Sequence, residues 1–324
     1  MQLPPPLQKR HSQRFCGGNV NPSLPAPECS IYFPELDNNP GIIINPKRKS
    51  LKGFTLIELS IVLVVIGLIV GGILVGQSLI NAAAVRAQVT QTEKYNTAAN
   101  TFFEKYGALP GDICGPIVTN FGFKARAGGA GRGDCNGVVQ GICYDCGNVP
   151  YGWNQAGETT FFWEDLSSAN LIDSSFTTAF DGEPSSNITL TSSPSFSSYL
   201  PPAKIGQGNY VYVWGENGSP TNGINYFGIS VPSLLIPNGQ FTSAVGLTVA
   251  QAYAIDQKID DGLPTTGRVQ TQYDNGGIAN SPNTATAGGT SASCYDTTTK
   301  LYSIAQSNGA NVNCALSFRM QAGD

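Results

Sequence analysis

The side chains able to do chemistry are few and unevenly placed. The 324 residues hold eight cysteines and a single histidine, His11, which stands far upstream. One histidine there cannot build a Ser-His-Asp or Cys-His nucleophile pair, nor a histidine-ligated metal site, so no enzymatic activity is expected. Cys114, Cys135, Cys143 and Cys146 fall in one 33-residue window, while Cys294 and Cys314 stand apart near the C-terminus. The four clustered thiols suit either two disulfides or a zinc site with Cys143-x-x-Cys146 as its knuckle. An oxidising compartment favours disulfides; spacing alone does not fix their pairing. Asp256, Asp260 and Asp261 form the densest acidic group. At the C-terminal end of an expected helix each carboxylate opposes the macrodipole at a cost of about 0.3–1 kcal/mol. Two explanations offset that cost: a Ca²⁺ held by these carboxylates and nearby carbonyls, or side-chain capping of the Gly262-Leu263-Pro264 turn. The glycine-rich stretch at 128–133 has neither a strand before it nor a helix after it, so a phosphate loop is not expected. Lys124, Arg126 and Arg132 beside it are read as members of a solvated loop rather than as contacts to an anionic polymer.

These groups sit downstream of one dominant element. Residues 54–75 read FTLIELSIVLVVIGLIVGGILV, with Glu58 as the only charge and no proline. About 20 such residues at a rise of about 1.5 Å cross a hydrocarbon layer about 30 Å thick, so a membrane-spanning helix is expected. A secretory signal peptide would have a shorter apolar run and a small-x-small cleavage site after it. Lys47, Arg48, Lys49 and Lys52 precede the run and the next basic residue is Arg86. The positive-inside rule therefore predicts a cytoplasmic N-terminus and an exported remainder. A carboxylate within such a segment marks either a partner or a side chain reaching to the interface.

The helix is expected to continue, because residues 77–106 contain no proline or glycine. Val85, Val89, Tyr95, Ala99, Phe102 and Tyr106 recur mostly at steps of three and four, a stripe able to pack on a sheet. Gly107 and the turn at 109–112 end it. Gly67, Gly71, Gly72 and Gly76 mark the membrane half, where small residues let helices approach closely. Further on, the sequence predicts a cysteine-bearing loop over 113–157 and a helix over 160–172. Strands are expected at 210–214, 226–231 and 312–318, and a helix over 248–259 opened by the capping pair Thr248 and Gln251. One long helix, an antiparallel sheet and decorated loops define an α+β fold. The divisions read as a leader at 1–53, a membrane helix at 54–76, an amphipathic half and turn at 77–112, and a head at 113–324.

The run Lys52-Gly53-Phe54-Thr55-Leu56-Ile57-Glu58-Leu59 resembles the prepilin signal of type IV pilins and type II secretion pseudopilins. The resemblance implies cleavage after Gly53 by a prepilin peptidase, N-methylation of Phe54, and pairing of Glu58 with the terminal amine of a neighbouring subunit. It implies a structural subunit, held in the bacterial inner membrane before entering a periplasmic or extracellular filament. Its partners would be other pilin subunits, membrane lipid and an inner-membrane assembly platform, with no cofactor required. A pseudopilin is the alternative, and a membrane-tethered binding protein or enzyme the more distant one. The family also implies a disulfide-bounded loop between Cys294 and Cys314, worth about 3 kcal/mol in the chain-entropy model, and a Ca²⁺ near the C-terminus at Asp256, Asp260 and Asp261. Many members carry a mid-helix proline that is missing here, and the Gly71-Gly72 pair is the expected substitute for local melting. Family leaders are mostly shorter than 53 residues, so the long leader reads either as a translation start placed too far upstream or as a cytoplasmic tail. Residues 1–53 hold seven basic and three acidic residues, which leaves 11 and 19 in residues 54–324, a net charge of −8. No general affinity for nucleic acid is expected of such a chain.

Overall fold

A computed structural model describes residues 53–143, 147, 149–152, 154–181, 195–216, 223–236, 240–273 and 283–322. Most of the leader (1–52) and Cys146 lie outside the described residues. Internal contacts divide the chain into two units, Met1–Glu58 and Leu59–Asp324.

In chain order the elements are α1 (Leu56–Tyr106), α2 (Gly115–Phe121), β1 (Gly141–Cys143), β2 (Val149–Tyr151), α3 (Glu158–Ser168), β3 (Tyr210–Gly215), β4 (Asn225–Leu235) and β5 (Phe241–Ala244). They continue with β6 (Leu247–Thr248), α4 (Val249–Ile259), β7 (Val269–Gln270), β8 (Gln272–Tyr273), β9 (Asn283–Thr284), α5 (Ile304–Ser307), β10 (Val312–Cys314) and β11 (Leu316–Arg319). The main sheet is antiparallel in the order β3-β4-β11-β7, with β5 paired to the far half of β4. β4 serves three partners: β3 and β11 flank its first half, and β5 pairs with its second half, where the register shifts between Pro232 and Leu234. Proline has no N–H to give a ladder, so it sits where the ladder is already broken. This is the long helix and antiparallel sheet expected of an α+β pilin-like fold.

The helix ends where its sequence says it should. Tyr106 is the last residue of α1, and Gly107 turns left-handed at φ 77° while its N–H bonds to the Phe103 carbonyl. The buried face of α1 carries Val85, Tyr95, Ala99 and Phe102, as the stripe predicts; Val89 and Tyr106 are only partly buried. The face also buries Gln88, Gln91, Thr92 and Asn96, which the apolar stripe did not reveal. Their amides hold loops: Lys204 N–H donates to Gln91 Oε1 (2.9 Å), Ile205 N–H to Gln88 Oε1 (3.1 Å), and Gln91 Nε2 to the Pro202 carbonyl (3.0 Å). These hydrogen bonds offset the desolvation of the buried Gln88 and Gln91 amides and fix the loop's position. Under this face, Trp163 of α3 lies 4.9 Å from the Tyr95 ring and 6.3 Å from the Phe227 ring of β4. That aromatic contact joins the long helix, the buried short helix and the sheet.

Three expectations need correction. The stretch at 113–157 is not wholly loop, since it contains α2 and the β1–β2 hairpin. The helix expected over 160–172 is α3, beginning at Glu158 and ending at Ser168 because Asn170 turns left-handed at φ 55°. The expected strand at 312–318 is two strands broken at Ala315: β10 pairs with β6, then β11 enters the main sheet. Continuous burial from Cys314 to Phe318 hid that change of sheet from any alternation pattern.

Candidate functional site

The N-terminal turn of α1 builds its own geometry. Thr55 precedes the helix and Glu58 is its third residue, and the two bond reciprocally. Thr55 N–H and its hydroxyl donate to Glu58 Oε2 at 2.7 and 2.8 Å, while Glu58 N–H donates to Thr55 Oγ1 at 3.3 Å. This is a capping box, which satisfies helix N–H groups that have no partner within the helix. Thr55 was missed as a participant, although Thr-x-x-Glu is the box's sequence signature. One Glu58 oxygen is thereby fixed, and Oε1 makes no hydrogen bond among the described residues. Phe54, two positions before the helix, is 92% exposed.

From Phe54 to Ile80 the large apolar side chains are exposed. The glycines at 67, 71, 72 and 76 face open space, and α1 runs unbroken through all four. Glycine in a helix interior costs about 1 kcal/mol relative to alanine. Among the described residues nothing packs within 4 Å of where a Cβ on these glycines would lie.

The cysteines and acidic groups organise the head. Cys114 is bonded to Cys135 and Cys294 to Cys314. Cys143 is also disulfide-bonded, and Cys146 lies outside the described residues. Three of the four clustered thiols are thus consumed as disulfides, and the zinc alternative does not hold. Asp256, Asp260 and Asp261 each offer an oxygen within 4.8 Å of the others. The same oxygens cap backbone. Asp256 accepts from Gly262 N–H (3.2 Å) and the Tyr302 hydroxyl (2.7 Å); Asp261 accepts from Leu263 N–H (2.8 Å) and the Thr266 hydroxyl (2.9 Å). Asp260 Oδ2 accepts from the N–H groups of Arg268 and Val269. Burial pushes the Asp256 carboxyl up to about 7, and the charges of Asp261 and Asp260 add to that.

A second acidic group, not anticipated, joins Asp112, Asp134 and Glu158. Buried Glu158 accepts from the N–H groups of Gly133 and Gln140, both at 2.8 Å, while Asp112 accepts from those of Asn136 (3.2 Å) and Gly137 (2.8 Å). These carboxylates suspend the loop that the Cys114–Cys135 bond also ties. Gly133 is required there: its φ is +88°, and a Cβ would lie 2.4 Å from the Ile113 carbonyl oxygen.

The basic loop also differs from expectation. Arg126 is buried and grips Asp165 through both nitrogens, Nη2 to Oδ1 at 2.7 Å and Nη1 to Oδ2 at 3.1 Å. Its guanidinium lies 4.3 Å from the centre of the Phe161 ring. Lys124 pairs with Glu164 at 3.2 Å, and Arg132 Nε donates to the Asp181 carbonyl. Arg126 and Lys124 fasten their loop onto α3 and Arg132 holds the Asp181 backbone, so of the three only Lys124 keeps an exposed side chain. Their partners Glu164 and Asp165 look in sequence like ordinary acidic helix residues, so the pairing carried no local signal.

One long apolar helix opening onto an α+β head suits anchoring in a membrane. More specifically, residues 48–74 match the family model of the prokaryotic N-terminal methylation motif, the signature of type IV pilin and pseudopilin prepilin signals. No curated protein and no solved structure matches the chain. The motif indicates a structural subunit, and the helix it opens suits membrane anchoring before assembly.

Proposed function

We propose that this protein is a subunit of a type IV pilus-like filament. It is cut after Gly53 by a prepilin peptidase, methylated at Phe54, and polymerised through residues 54–76. The observation that carries the reading is the exposed apolar half of α1, opening on a capped turn whose Glu58 Oε1 makes no hydrogen bond among the described residues. Withdrawal from lipid into a bundle of like helices keeps those side chains out of water. An amine placed on Glu58 Oε1 offsets part of the desolvation of both charges. The basic flank at 47–52 supports a cytoplasmic N-terminus before assembly.

The test is a strain expressing Glu58→Ala. The account expects the chain to be processed and retained in the membrane while filaments recovered by shearing fall below a tenth of wild type. Normal filaments would refute it and favour a tethered binding protein. A pseudopilin of a type II secretion machine shares all this chemistry, and loss of protein export without loss of surface filaments on deletion would select it.

A structural Ca²⁺ at Asp256, Asp260 and Asp261 is the second part of the proposal. Three hard carboxylates converge there, and an oxygen that accepts one hydrogen bond retains a lone pair for a cation. Calorimetric titration of the full chain in detergent is expected to show one saturable Ca²⁺ site that Asp261→Asn weakens. An absence of heat eliminates it and leaves the three side chains as turn caps.

A further inference from the structure

A cavity of about 250 Å³ opens between α1, the C-terminal turn of α4 and β11. Lys258, Arg268 and Arg319 line it, with Glu93 as the only carboxylate among the lining residues. Residues 54–324 hold only 11 basic residues against 19 acidic ones, so three cations around one small cavity is a strong local concentration. They come from three separate elements or turns, and only folding brings them together.

Two further observations point to what the cavity takes. Arg268 Nε is buried and has no hydrogen-bond partner among the described residues. Closed to solvent, that nitrogen meets no acceptor in the cavity, which Arg268 lines through its other atoms. Asp260, the nearby acid, uses Oδ2 on the backbone N–H groups of Arg268 and Val269. Asn96 Oδ1 already accepts from Gln321 N–H at 3.2 Å, so its side-chain amide has donors left to offer. The cavity thus presents positive charge and spare donors.

We propose that this cavity binds a small oxyanion, a phosphate or carboxylate group, with Arg268 as its principal ligand and Lys258 and Arg319 as flanking charges. The volume falls below the roughly 300–1,000 Å³ of sites for drug-sized ligands, which suits a single acidic group. That group arrives either as a free anion or as a carboxylate on a second copy of this acidic chain. The proposal does not depend on the filament reading.

The experiment uses the full chain in a non-ionic detergent. Isothermal titration with inorganic phosphate is expected to give one saturable site whose affinity falls as salt rises. Arg268→Gln is expected to weaken it by about tenfold or more, the scale of a charge-assisted hydrogen bond, and Lys258→Gln by a few-fold. Lys258 is exposed, so its variant retains the fold and keeps the test decisive should Arg268→Gln unfold. Sedimentation of the same samples separates the sources. Phosphate that dissociates oligomers, with both variants acting the same way, assigns the anion to a neighbouring copy; unchanged association assigns it to a free anion. No saturable heat together with no effect on association overturns the proposal, as does wild-type affinity in both variants.

Discussion

At the residue scale the structure distinguishes groups that serve the fold from those left available. Arg126 and Asp165 are almost wholly buried, at 2% and 1% side-chain exposure, and their bond is bidentate. Removing one member of such a pair leaves an uncompensated buried charge, so Arg126→Ala is expected to destabilise the protein by about 3–5 kcal/mol in denaturant titration. A loss below about 1 kcal/mol would mean the pair behaves as a surface bridge. The acidic residues give a pH dependence of opposite sense to ordinary salt-bridged carboxylates. Burial pushes the Asp112 carboxyl up to about 7, and burial with the Asp112 charge holds Glu158 well above its usual range. Asp256 is raised to about 7 as well. These groups bind protons in the folded chain that the unfolded chain releases near pH 4. Stability should therefore fall as pH rises from about 4 to about 7. Chemical denaturation at pH 5 and pH 7.5 reads the slope, and Asp112→Asn should flatten it. The group of Asp112, Asp134 and Glu158 was not legible beforehand, because the three are scattered through a glycine-rich stretch with no spacing that marks them as neighbours, unlike Asp256 with Asp260 and Asp261.

At the element scale, α1 serves two environments in succession. Its later turns bury a face against α3 and the sheet; its earlier turns expose apolar side chains and four glycines that face open space among the described residues. Gly72→Leu is accordingly expected to leave the melting temperature of the head unchanged while reducing filament yield several-fold, because the bulk falls only between copies. A filament density map should also show the helix loosened at Gly71-Gly72; an unbroken helix there would remove that assignment. The element is the part most legible in sequence, because a long uncharged run, a three-and-four stripe and a terminal glycine each leave a local pattern. The capping box that opens α4 was equally legible, with Thr248 and Gln251 bonded reciprocally at 3.1 and 2.9 Å. The strands were harder. β10 and β11 are divided by which partner each finds, a property of the whole fold and not of residues 312–318.

On the scale of the whole molecule, disulfides and paired side chains compensate for irregular connections around a modest sheet. The Cys294–Cys314 bond closes a loop with a sequence separation of 20, and its loss as Cys294→Ala with Cys314→Ala should cost about 3 kcal/mol under non-reducing conditions. The central claim concerns the other end. On the proposed reading, a new amino terminus at Phe54, set beside Glu58, would allow the exposed helix to leave lipid among copies of itself. Intact-mass and N-terminal mass spectrometry of the chain recovered from cells tests this most directly. The account predicts a chain beginning at N-methylphenylalanine 54, with residues 1–53 absent. A chain that retains Gly53 and the residues before it, in cells with an active prepilin peptidase, would contradict it.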